Sequence, residues 1–195
     1  MLNRFSNRLV EALSESGLIE HEDREIYLLG LELSFIKLLH YATMLLIGLF
    51  FGMALETILF IICFSALRVY AGGYHAKSRL GCWCVSWIMM LSVLFLIKIC
   101  PSQIMSAMAI GISLPSCLII YILAPVENEK KRLDNTEILH FRKISKIILL
   151  VELSVSIVFL LANSIHIPFV ISLSLLSIAV MLILGEIQIL ASESN

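Results

Sequence analysis

Six long apolar runs, separated by short polar breaks, constrain this 195-residue chain more than any other feature. They run from about Leu33 to Phe51, Leu55 to Ala71, Cys82 to Ile99, Ile104 to Ala124, Ile144 to Ala162 and Phe169 to Leu190. A helix needs roughly 20 apolar residues to cross a bilayer, and the runs are close to that length. The second is short and reads as tilted or partly re-entrant. Gly52, Gly72-Gly73, Pro101, Pro125 and Pro168 punctuate the series. With 59% hydrophobic and only 15% charged residues, the chain falls well below the roughly 25% charge of soluble domains. A soluble globular class is thereby excluded. The expected fold is an all-α integral membrane protein with about six transmembrane helices, forming a single helical membrane domain over residues 1–195. The bundle would occupy 33–190, with polar connections at 72–81 and 125–143.

Residues 1–25 differ from the rest. Leu2, Phe5, Leu9 and Leu13 recur at helical spacing, with Arg4, Arg8, Glu11 and Glu15 between them. That pattern predicts an N-terminal amphipathic helix, either lying in the membrane interface or packed on the bundle. The segment is too charged to hold the apolar core of a cleaved signal, so insertion is expected to begin with the first span.

The basic residues set an orientation. With six spans, Arg4, Arg8, Arg24 and Lys37 fall on one side, together with Arg68, Lys77 and Arg79 and with Lys130, Lys131, Arg132, Arg142, Lys143 and Lys146; only Lys98 falls on the other. Cytoplasmic connections are the ones enriched in Lys and Arg. Both termini and the 72–81 connection are therefore expected on the cytoplasmic side of a cell membrane. A five-span arrangement would scramble this asymmetry.

The 72–81 connection also carries chemistry. His75 precedes Cys82 by seven residues, within a glycine-rich break that opens at Arg68. A thiol and an imidazole are the minimum equipment for cysteine-nucleophile catalysis. The reactive form is the thiolate, and a free cysteine titrates near about 8.5. Arg68, Lys77 and Arg79 add positive potential that favours the anion, and a reducing cytoplasmic face keeps the thiol free. Seven residues of unbroken helix advance about 10.5 Å, too far for the two side chains to meet. The backbone must therefore turn between them, and Gly72, Gly73 and Gly81 permit that. His75 is expected in a loop or half-helix, and Cys82 near the start of the third membrane helix. No Asp or Glu lies between Glu56 and Glu127. Whatever orients His75 is then a carboxylate from elsewhere or a backbone carbonyl.

Other readings of these residues stand beside this one. Cys84 could be the nucleophile, although on a helix it sits about 200° around from Cys82. Cys63, Cys82, Cys84, Cys100 and Cys117 are odd in number and suggest no disulfide framework. His75, Cys82 and Cys84 make a poor metal set, so no metal or cofactor is expected. His40 reads as a helix-packing group, and His21, His140 and His166 carry no signal. Glu152, inside the fifth span, is a functional candidate by default, with an internal hydrogen-bonded partner as the simpler explanation. Lys130, Lys131 and Arg132 serve topology, or contact an acidic peptide.

Arg68, the run Gly72-Gly73-Tyr74-His75-Ala76, Cys82 seven residues after the histidine, and Ala124-Pro125 before a charged connection together resemble the accessory gene regulator protein B (AgrB) family. The length, the amphipathic start and the six apolar runs agree. The resemblance implies a membrane cysteine endopeptidase of bacterial quorum sensing, with His75 as general base and Cys82 as nucleophile. Its substrate would be an AgrD-type propeptide with an amphipathic leader, a core and an acidic tail, released through a thioester as a cyclic thiolactone or, in some relatives, a lactone. Arg68, Gly73, Lys77, Arg79, Lys130, Lys131 and Arg132 would support or bind that substrate. Membrane lipid and a second copy of the chain are expected partners; nucleic acid is not. The competing class is a non-enzymatic transporter or peptide exporter, which would more often gather its polar groups at mid-membrane.

Overall fold

The computed structural model describes residues 2–16, 19–74, 76, 78–127 and 134–193. Among the described residues there are seven α-helices: α1 Leu2–Glu15, α2 Arg24–Phe50, α3 Ala54–Ala71, α4 Arg79–Ile99, α5 Ser102–Leu123, α6 Asn135–Leu161 and α7 His166–Glu193, with a 3-10 turn at His21–Asp23. Helices α2 to α7 are all long and apolar enough to cross a membrane. Among the described residues the extended pairing is one isolated parallel bridge, Gly72 with Val126. The chain is an all-α, multi-pass integral membrane protein.

Two compact units are present, Met1–Ile47 and Gly48–Asn195. In the first, amphipathic α1 is tied to the start of α2 by an Arg24–Glu11 ion pair at 2.8 Å. Both side chains are substantially exposed, so the pair adds at most about 1 kcal/mol.

The second unit is built around α7. Of its most apolar stretch 72% is buried, against 28% for α3 and 22% for α4, α5 and α6. Helices α3, α5 and α6 pack on it. Their shared core joins Cys63, Leu67 and Ala71 of α3, Ile120 of α5, Leu149 of α6, and Ile171, Leu175, Ile178, Ala179 and Leu182 of α7. Lipid tails are as apolar as these side chains, so close packing holds the helices together. Tyr70 and Phe141 meet edge to face at 5.9 Å between ring centroids, joining the end of α3 to α6.

Helix boundaries follow caps as well as hydropathy. Helix α6 starts nine residues before the apolar run at Ile144, inside the charged connection. Its start is a capping box: the Asp134 side chain accepts from the Asn135 N–H at 2.8 Å, and Glu137 accepts from the Asp134 N–H at 3.2 Å. Arg142, Lys143 and Lys146 are thereby helical, and the Lys146 ammonium sits 3.8 Å from the centroid of the Tyr121 ring on α5. Pro168 lies within the first turn of α7 rather than before it, where its missing N–H would have had no intrahelical partner.

Candidate active site

The geometry of a site depends on its backbone, and here the backbone after α3 is clamped from three directions. Arg68, half-buried in the last turn of α3, donates through its guanidinium to the carbonyl oxygens of Gly72 and Tyr74. Gly72 ends the helix with φ +72°, its N–H bonded to Arg68 O at 3.2 Å. Gly73 follows at φ +106°. A side chain at Gly72 would meet the Val126 carbonyl oxygen.

The second clamp is the parallel bridge to the strand-like residue after α5. Val126 N–H donates to Ala71 O at 2.9 Å, and Gly73 N–H donates to Val126 O at 3.3 Å. Val126 is buried, and the Ala124-Pro125 bond before it is cis. The third clamp is on α7, where Met181 O accepts from the Tyr74 N–H at 2.8 Å.

Beyond the clamp the chain enters α4. Ser78 caps that helix, its hydroxyl accepting from the Gly81 N–H at 3.0 Å. The Cys82 N–H donates to Ser78 O at 3.1 Å. Cys82 therefore occupies the first turn of α4, with its side chain exposed. The Arg68 guanidinium lies within Coulombic reach of it. Cys84 is also exposed, two residues further along the helix.

Of the residues singled out from sequence, Arg68, Gly73 and Cys82 are brought to one end of the second unit. Arg79 is the first residue of α4. His75, Lys77, Lys130, Lys131 and Arg132 lie outside the described residues. Among the described residues no three His, Cys, Asp or Glu side chains converge as a metal site.

The accessory gene regulator B family model matches residues 6–187, nearly the whole chain. The chain belongs to the AgrB family. An AgrB-like protein 2 of Clostridium perfringens strain 13 is 28% identical over 136 residues, covering 67% of this chain and 64% of the relative. An AgrB-like protein of Clostridium acetobutylicum is 36% identical over 70 residues, covering 36% of this chain and 34% of the relative. The chain thus spans a little under two thirds, 64%, of the length of the first of these curated relatives. No solved structure matches it.

Two features of this AgrB family member were not legible as site components. Val126 and Met181 join the clamp through main-chain atoms, which leave no mark in a sequence. Gly185, against which the clamped segment rests, is the lone glycine of the sixth apolar run, and an isolated glycine in a helix costs about 1 kcal/mol relative to alanine. That cost was the available signal. Glu152 differs from its sequence expectation as well. It is 6% exposed, and among the described residues neither carboxyl oxygen has a hydrogen-bond partner. The Cys63 and Cys117 thiols on α3 and α5 lie within Coulombic reach of it. Cys63 lies five residues before Arg68, about 7.5 Å further along α3 from the clamp.

Proposed function

We propose that this chain is a membrane-embedded cysteine endopeptidase that removes the acidic tail of an AgrD-like propeptide and leaves its core as a cyclic peptide. The observation that carries the reading is an exposed thiol in the first turn of α4, within Coulombic reach of Arg68 and preceded by a segment clamped at Gly72–Tyr74. Membership of the AgrB family supports it.

In this reading His75 takes the proton from Cys82 Sγ, and the sulfur attacks the carbonyl carbon at the end of the core. The C–N bond breaks, the imidazolium gives its proton to the departing amine, and the core is left as a thioester on Cys82. A thiol or hydroxyl of the core then loses its proton to His75 and attacks the thioester. Cys82 leaves as thiolate and is reprotonated. With a core thiol, exchange of one thioester for another conserves the bond energy, provided water is kept from the acyl-enzyme; a core hydroxyl would give the lactone ester instead. The site and both termini are on the cytoplasmic side, by the charge asymmetry of the connections. Lys130, Lys131 and Arg132 attract the acidic tail.

A second reading, peptide export without chemistry, draws on Glu152, an unpaired carboxyl inside a span. Cysteine replacement separates the two. With full-length protein in lipid vesicles and a synthetic propeptide carrying a leader, a cysteine-containing core and an acidic tail, Cys82→Ala abolishes cleavage and Cys84→Ala retains most of it. Cleavage that survives Cys82→Ala refutes the assignment.

A further inference from the structure

We propose that Gly185 and the Met181 carbonyl of α7 form a seat that positions the segment leading into His75, making Gly185 a positioning residue of the site. This rests on the reading that His75 serves Cys82. The contact is backbone on backbone. A Cβ built on Gly185 would stand 2.8 Å from Gly73 Cα, 2.8 Å from Gly73 C and 2.8 Å from Tyr74 N. None of those atoms can rotate away. A Cβ on Gly73 would in turn stand 2.7 Å from Met181 O and 3.2 Å from Arg68 Nη1. Glycine faces glycine because the two backbones are closer than any side chain allows. The Met181 carbonyl then receives the Tyr74 N–H at 2.8 Å, one helical turn before Gly185.

The seat matters because of what it joins. Helix α7 is the most buried helix of its unit, so it is the element least free to move. Tyr74 immediately precedes His75 in the chain, whereas Cys82 is held independently by the Ser78 cap on α4. Displacing the seat therefore shifts the backbone at Gly73 and Tyr74, from which His75 follows in the chain, while the Ser78 cap that holds Cys82 lies on another helix. A misplacement of about 1 Å costs on the order of 100-fold in rate. Other helical glycines provide the contrast: a Cβ on Gly111 meets nothing within 4 Å.

The test compares Gly185→Ala with Gly111→Ala in full-length protein in lipid vesicles. Two quantities are read: amide hydrogen exchange over residues 72–76, and the steady-state constants for cleavage of the synthetic propeptide. The expected result is faster exchange at Gly73 and Tyr74 and a kcat about 100-fold lower in Gly185→Ala, with KM near the wild-type value and Gly111→Ala unchanged in both. Unchanged exchange in Gly185→Ala, or faster exchange with an unchanged kcat, overturns the proposal. If Gly185→Ala does not fold, the wild-type Tyr74 amide still decides: exchange as fast as an unprotected amide refutes the seat. Failure of the peptidase reading looks different, because wild type and Cys82→Ala would then be equally inactive on the propeptide while the exchange comparison still reports on the seat.

Discussion

Individual residues carry unequal burdens in this membrane domain. Arg68 is the clearest case. Its guanidinium is spent on two carbonyl oxygens of the segment that follows its own helix, and it also lies within Coulombic reach of Cys82. One side chain thus shapes the backbone and adds positive potential within Coulombic reach of the thiol. Glu152 is the opposite case, a polar group whose burial is not compensated. An unsatisfied buried polar group costs roughly 1–3 kcal/mol. Glu152→Leu is therefore expected to raise stability by about that amount, as read by denaturant unfolding in detergent, with propeptide cleavage unchanged. Loss of cleavage in that variant would instead tie the carboxyl to the reaction. Cys82 could be singled out from sequence because polar side chains are scarce at the edge of an apolar run. Gly185 left only the faint mark of a lone glycine in an apolar run, since its role is to be missing a Cβ at a contact between main chains.

At the scale of elements, the helices were legible and several of their ends were not. Hydropathy marks the lipid-facing stretch of a helix and says nothing about turns that project beyond it, so α6 extends to Asn135 while its apolar run begins at Ile144. The capping-box signature Asp134-x-x-Glu137 was the cue for that extension. Hydrogen bonds from the Thr136 hydroxyl and the Asn135 N–H hold the Asp134 carboxyl below its usual value of 3.8. A carboxyl depressed in the folded state contributes stability above its unfolded value and loses it as pH falls through the folded one. The cap should therefore hold at neutral pH and fail below 3.8. Amide exchange over 135–138 is expected to be faster in Asp134→Ala than in wild type at pH 7, with the difference vanishing at acid pH. A difference that persists undiminished in acid would assign the protection to something other than the carboxylate.

Across the whole molecule, the described residues of the candidate site gather where α3, α4, α5 and α7 of the second unit meet. Helix α3 delivers Arg68, the residues after α5 deliver Val126, α7 delivers Met181 and Gly185, and α4 opens with Cys82 in its first turn. Three of these elements share one apolar core with α6, so helix packing fixes the backbone from which the chemistry starts. The AgrB family match over residues 6–187 spans all of them. The number of spans could be read from apolar runs because lipid demands them. The convergence of α3, α5 and α7 behind the site could not, because interior contacts between equally apolar helices leave no distinctive pattern. The central claim is that Cys82 becomes acylated by the core of its substrate. Full-length protein in vesicles should be incubated with a propeptide whose core cysteine is replaced by alanine, which blocks the second step, and its peptides then weighed by mass spectrometry. The account predicts the leader and core joined to Cys82 as a hydroxylamine-sensitive thioester, with the acidic tail released. Tail release with the adduct on Cys84, or with no acyl adduct on any cysteine, would contradict it.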